Sequence, residues 1–82
     1  MVILPLHPEL TAYLHRHGLG KKFEKQQRLF TQNTFHPSLH TELLEPRHYR
    51  FYSFRLDRRY RAIFIYHGAA TIEVLDINDH YQ

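Results

Sequence analysis

The spacing of apolar positions changes near residue 32. Before it, Leu10, Tyr13, Leu14 and His17 recur at helical intervals, and so do Leu19, Phe23 and Phe30. After residue 49 the period shortens toward two, and three strand-like runs follow: Tyr49–Leu56, Tyr60–Tyr66 and Thr71–Ile77. Val2-Ile3-Leu4 is a further short β-prone segment, ended by Pro5. Pro8 suits a first helical turn, Glu9 complements the positive end of the helix dipole, and Gly18 is a natural stop. A second helix is predicted from Leu19 or Gly20 to Phe30 or Gln32, with Lys21, Lys22, Lys25 and Arg28 in water. Residues 31–48 carry Asn33, Pro37, Ser38 and Pro46, and leave room for one short strand or helical turn around Leu39–Leu44. The joints Asp57-Arg58-Arg59 and His67-Gly68-Ala69-Ala70 are hairpin-sized. The expected fold is α+β, in the order β-α-α-β-β-β. A helical hairpin packs on one face of a mostly antiparallel four-stranded sheet, and residues 1–82 form one domain.

Composition narrows the class. The chain has 82 residues, 43% of them hydrophobic and 23% charged, which suits a small folded domain rather than a disordered chain. Cysteine is absent, so no disulfide framework or Cys-based zinc site is available, in keeping with a reducing cytosol. No apolar run approaches a membrane span, and Met1–Leu10 lacks the pattern of a secretory signal. A cytoplasmic protein with no membrane partner is expected.

Charge is segregated along the chain, although the net is only +3. Arg47, Arg50, Arg55, Arg58, Arg59 and Arg61 fall within fifteen residues that hold one acid, Asp57, while aromatic residues alternate among them. Guanidinium forks hold phosphate bidentately and rings stack bases, so this pattern suits a polyanion. Charge alone fits a solvated basic hairpin equally well. If the Asp57-Arg58-Arg59 loop has three residues, Arg55 faces Arg61 across the hairpin, and the mutual repulsion favours an anion between them. A two-residue loop would break that pairing.

Other motifs carry less. His36-Pro37-Ser38-Leu39-His40 spaces two histidines four apart, but Pro37 disfavours a helix through His36 and no third ligand is evident, so neither metal nor cofactor is expected. Gly-rich phosphate loops and hydrolase nucleophile motifs are missing, and nothing marks Ser53 as a nucleophile. The run Asp76-Ile77-Asn78-Asp79-His80-Tyr81 gathers polar and titratable groups at the end of the last strand, near the arginines if the sheet is antiparallel. A histidine for proton transfer, arginines for phosphorane-like charge and an aromatic for a base are the parts needed to cleave RNA through its own 2′-hydroxyl without metal. A solvated tail is the alternative.

The element order, His36-Pro37-Ser38-Leu39 ahead of Leu43-Leu44, and Tyr52-Ser53-Phe54-Arg55 followed by Tyr60-Arg61-Ala62-Ile63-Phe64 together resemble the RelE/ParE toxin superfamily. The final His80-Tyr81 resembles the C-terminal His-Tyr of its YoeB branch. The resemblance implies the toxin of a type II toxin–antitoxin pair, acting as a ribosome-dependent mRNA endoribonuclease that leaves a 2′,3′-cyclic phosphate. It implies Arg61 on the transition-state phosphate, Arg55 as a second basic group, His80 as a proton-transfer group, Tyr81 beside it, and Glu42 as nearest counterpart of the YoeB glutamate. RelE uses lysines on this side of its site, where the candidates here are His40, His48 and Arg50. Arg58, Arg59, Lys21, Lys22 and Lys25 are the remaining RNA-binding candidates. The partners implied are a cognate antitoxin, the ribosome and mRNA, with a homodimer or a toxin–antitoxin hetero-oligomer as the assemblies. The ParE branch, which keeps the fold but poisons DNA gyrase, is the second reading, alongside an inactive RNA-binding homologue.

Overall fold

A computed structural model describes residues 1–80. Two helices pack on one face of a five-stranded sheet. The elements are β1 (Val2–Ile3), α1 (Pro8–Arg16), α2 (Gly20–Gln32), β2 (Glu42–Leu43), β3 (Tyr52–Arg55), β4 (Arg61–His67) and β5 (Thr71–Asn78). The strand order is β1-β5-β4-β3-β2, and only the β1–β5 pair is parallel.

Local chemistry sets the helix ends. Proline starts α1, with Glu9 in its first turn. Gly18 adopts φ +65°, which closes a Schellman turn: Leu19 N donates to Leu14 O at 2.8 Å and Gly18 N to His15 O at 3.2 Å. The turn drives Leu19 into the core and starts α2 one residue later. The apolar stripes of both helices, Leu10 and Leu14 with Phe23 and Phe30, cover the sheet face formed by Phe54, Ala62, Phe64, Ile72, Val74 and Ile77. Phe30 sits at the centre, with ring centroids 5.1 Å from Phe54 and 5.3 Å from Phe64.

The expected α+β fold is present, with one strand more than the four expected. Around Leu39–Leu44 the chain makes both a 3-10 turn (Pro37–Leu39) and the two-residue β2, which lies antiparallel on β3. The first long strand is shorter than Tyr49–Leu56: it begins at Tyr52, because Arg47–Tyr49 form a 3-10 turn and Arg50 takes φ +59°. A left-handed residue reverses the alternation that a strand needs, so the aromatic-rich stretch before Tyr52 leaves the sheet. The hairpin loop does have three residues. Asp57 Oδ1 accepts from Arg59 N and Tyr60 N, both at 2.8 Å, and Leu56 N donates to Tyr60 O at 2.9 Å.

Candidate active site and basic interface

The sheet face turned away from the helices carries the candidate site, and strand register explains its layout. Glu42 pairs with Ser53, Ser53 with Ile63, and Ile63 with Asp76, forming one row across four strands. The adjacent row is Arg55, Arg61 and Asn78. Arg55 and Arg61 therefore stand directly opposite each other, as the three-residue loop predicts.

Arg61 is the most constrained polar group of the site. It is only 6% exposed, and three groups from three segments hold its guanidinium. Its Nε donates to Ser53 Oγ at 2.9 Å and Nη2 to His40 O at 2.6 Å, while Glu42 Oε1 lies 3.4 Å from Nη2. His40 reaches this position through a left-handed backbone, φ +45°, at the end of the 3-10 turn. The negative group facing Arg61 is thus a carboxylate of the chain itself. Burial pushes the Arg61 pKa down, Glu42 opposes this, and Arg55 adds to it by like-charge repulsion. Arginine stays protonated regardless, so the result is a fixed cation with low dielectric around it.

The proton-transfer candidate lies along the same edge. Asn78 pairs with Arg61 across β4–β5, and His80 follows two residues later, its N donating to Asn78 Oδ1 at 3.0 Å. Its imidazole is exposed, as a group that meets a substrate must be. Tyr81 lies outside the described residues. Glu42, Ser53, Arg55, Arg61 and Asn78 thus share one region of the open face, and the backbone of His80 is tied to it through Asn78.

Other sequence candidates lie elsewhere. His48 and Arg50 precede β3, at the far end of the hairpin from Arg61; the His48 ring lies tilted against Tyr49, centroids 4.4 Å apart, and Arg50 lines a cavity of about 450 Å³ with Tyr49, Tyr52 and Tyr66. Arg59 pairs with Asp79 at 3.4 Å and lies over the Tyr60 ring. Lys21, Lys22 and Lys25 occupy the first half of α2, where Lys22 Nζ donates to Asp57 Oδ2 at 2.8 Å. His36 caps its own 3-10 turn, its Nδ1 accepting from Ser38 N at 3.2 Å. Among the described residues no group of three or more His, Cys, Asp or Glu is placed to hold a metal ion.

Two residues of the site have roles that motif reading missed. Ser53, fully buried, acts as an acceptor for Arg61 rather than as a nucleophile. Its alternation with Arg55 was the available signal. Gln26, 5% exposed, donates to Arg55 O at 2.8 Å and to Ser38 O at 3.3 Å, tying α2 to β3 and the 3-10 turn. The signal there was a polar side chain three residues after Phe23 and four before Phe30, inside the buried stripe.

No protein family and no curated protein matches the sequence significantly. Among solved structures, it is similar to a YoeB/ParE toxin from Agrobacterium tumefaciens, with a TM-score of 0.71 over 98% of this chain and 96% of that one. The chain has the RelE/ParE toxin fold. Sequence identity to that toxin is 18%, so the likeness is one of backbone. Within the RelE/ParE fold, the groups described above occupy the open sheet face, opposite the helical hairpin. No helix among the described residues is long and apolar enough to cross a membrane.

Proposed function

We propose that this chain is the toxin of a type II toxin–antitoxin pair and that it cleaves mRNA on the ribosome. The observation that carries the reading is the Arg61 cradle. A buried guanidinium is held by Ser53 and the His40 carbonyl, a carboxylate lies 3.4 Å away, and the strand that ends two residues before His80 is paired alongside.

These groups match the needs of 2′-hydroxyl attack. Glu42, 55% exposed at its side chain, accepts the proton of the 2′-hydroxyl as that oxygen bonds to phosphorus. Arg61 and Arg55 stabilise the pentacovalent phosphorane, whose extra charge is the largest electrostatic change along the path. His80, as imidazolium, donates its proton to the 5′-oxygen as the P–O5′ bond breaks, leaving a 2′,3′-cyclic phosphate and a 5′-hydroxyl. When substrate phosphate approaches Arg61, the Glu42 carboxylate is repelled from the guanidinium and freed to act as base. The reaction requires no cofactor beyond these groups. Arg58, Arg59 and the α2 lysines supply further contacts to RNA backbone, with His40, His48 and Arg50 as outlying contacts. The ribosome presents the mRNA in register, which lowers the entropic part of the barrier for a domain with few catalytic groups. A cognate antitoxin whose disordered acidic tail folds over the basic face is the expected partner in a cytoplasmic complex.

The test is an in-vitro translation reaction with mapped mRNA ends. Cleavage that needs ribosomes and leaves cyclic phosphate ends is the expected result. Intact mRNA together with gyrase-dependent DNA breaks would assign the chain to the gyrase-poison branch instead. Intact mRNA without DNA breaks would leave an inactive RNA-binding homologue.

A further inference from the structure

A second concave site lies beside the Arg61 cradle, where β2 ends and leaves the β3 edge uncovered. This cleft, of about 330 Å³, is bounded by α2, the 3-10 turn and the β3–β4 hairpin, with Leu56 at its floor. Lys22, Lys25, Arg55 and Arg58 line it, against one carboxylate, Asp57. Asp57 is already committed: Oδ2 takes Lys22 at 2.8 Å, and Oδ1 takes the two backbone N–H groups of the hairpin loop. Burial pulls the Asp57 pKa upward, but the Lys22 hydrogen bond and those from Tyr60 N and Arg59 N outweigh it and hold it below the usual range. Among the described residues Lys25, Arg55 and Arg58 have no ion-pair partner.

Like charges gathered in a concavity repel more than the same charges spread over a convex surface, because solvent screens them less. The backbone here is nonetheless pinned. Gln26 clamps the carbonyls of Arg55 and Ser38, and Asp57 locks the loop that carries Arg58. The walls therefore hold three unpaired cations around one volume. The Ser38 hydroxyl adds a donor with no partner of its own among the described residues.

We propose that this cleft is a second phosphate-binding site, next to the Arg61 cradle and sharing Arg55 with it. Four cations against one carboxylate leave an excess of three positive charges, which a phosphate dianion neutralises better than a carboxylate does. Two guanidinium forks match phosphate oxygens bidentately, and an ammonium supplies a point charge. A phosphodiester of bound RNA and a free phosphate or phosphomonoester share this chemistry. The inference does not depend on cleavage.

The experiment uses the full chain and two probes, inorganic phosphate and a 2′-O-methyl RNA trinucleotide that cannot undergo 2′-attack. Binding is followed by calorimetry and by amide shifts, with sodium chloride at matched ionic strength as reference. Phosphate is expected to raise the melting temperature above the chloride reference, because a ligand bound only to the folded state stabilises it. Lys25→Gln and Arg58→Gln should each weaken phosphate binding by about fivefold or more, while Arg28→Gln, on the same helix but outside the cleft and paired with Glu24, should leave it unchanged. Trinucleotide displacing phosphate with the same dependence on Lys25 and Arg58 identifies the ligand as an RNA diester. Phosphate binding without trinucleotide binding identifies a free phosphate or monoester. No stabilisation beyond chloride, or equal losses from all three substitutions, would overturn the proposal. Ribosomal cleavage assayed in parallel separates the two readings, since a chain that binds phosphate here but cuts nothing refutes only the nuclease.

Discussion

Removing the Arg61 guanidinium tests stability and chemistry together. The expectation from strand alternation alone is that Arg61→Ala folds normally, since its side chain would face an anion site. The structure changes that expectation. Arg61 is 6% exposed, and its fork satisfies a fully buried Ser53 hydroxyl and the His40 carbonyl. Truncation strands the Ser53 oxygen, and a buried polar group left unpaired costs about 1–3 kcal/mol. Lost packing of the arginine stem adds to this, whereas Glu42, exposed enough to hydrate, adds little. Relief from holding a buried cation offsets part of the loss. The balance is about 2 kcal/mol, which lowers the melting temperature of a domain this size by roughly 10 °C. Thermal denaturation followed by circular dichroism measures it, with Ser53→Ala as the partner variant. In a double-mutant cycle the two losses should not add, because each removes the same hydrogen bond. Single-turnover cleavage on programmed ribosomes, run well below both melting points, should fall by on the order of a hundredfold or more for Arg61→Ala. Arg61→Lys should rescue poorly, because one ammonium cannot reach three acceptors on different segments. A melting temperature within about 2 °C of wild type would refute the structural half of this reasoning. Wild-type cleavage by a folded Arg61→Ala protein at saturation would refute the catalytic half.

Two further outcomes are expected. His80→Ala should lower single-turnover cleavage by on the order of a hundredfold and remove one limb of the pH–rate profile while leaving the melting temperature unchanged, because its imidazole is exposed; an unaltered profile would remove it from the reaction. Asp57→Asn should destabilise the chain at neutral pH, since the folded state holds this carboxylate below its ordinary value of 3.8 through Lys22 and two backbone N–H groups. A depressed pKa contributes stability that is fully present above the unfolded value of 3.8 and is lost as pH falls through the lower folded one, so the gap between wild type and variant should start to close as pH drops below 3.8, as denaturation across pH can check.

Much of the architecture was legible before any coordinates. The change of apolar period near residue 32 separates helices from strands, and Pro8 and Gly18 mark the limits of α1 to within two residues. Those features are local: side-chain spacing along the chain and the conformational limits of single residues decide them. The pairing of Arg55 with Arg61 was accessible only as one of two outcomes, because a three-residue loop gives it and a two-residue loop breaks it; the hydrogen bonds that Asp57 accepts from Arg59 N and Tyr60 N decide for three. The early end of β3 was not accessible. Nothing in the Tyr49–Phe51 sequence opposes a strand, and the left-handed Arg50 closes the 3-10 turn Arg47–Tyr49, its N donating to Arg47 O. The partners of Arg61 were hidden for a related reason: Ser53, His40 and Glu42 lie 8, 21 and 19 residues away in sequence, and the two-residue strand that brings Glu42 alongside is too short to carry a pattern. The cleft beside Arg55 likewise depends on Gln26 reaching across two segments. Sequence marks which residues can carry charge and which face of an element they occupy. Whether a given arginine ends in water, against a carboxylate or in the wall of a cleft depends on contacts between distant segments, and only packing brings those together.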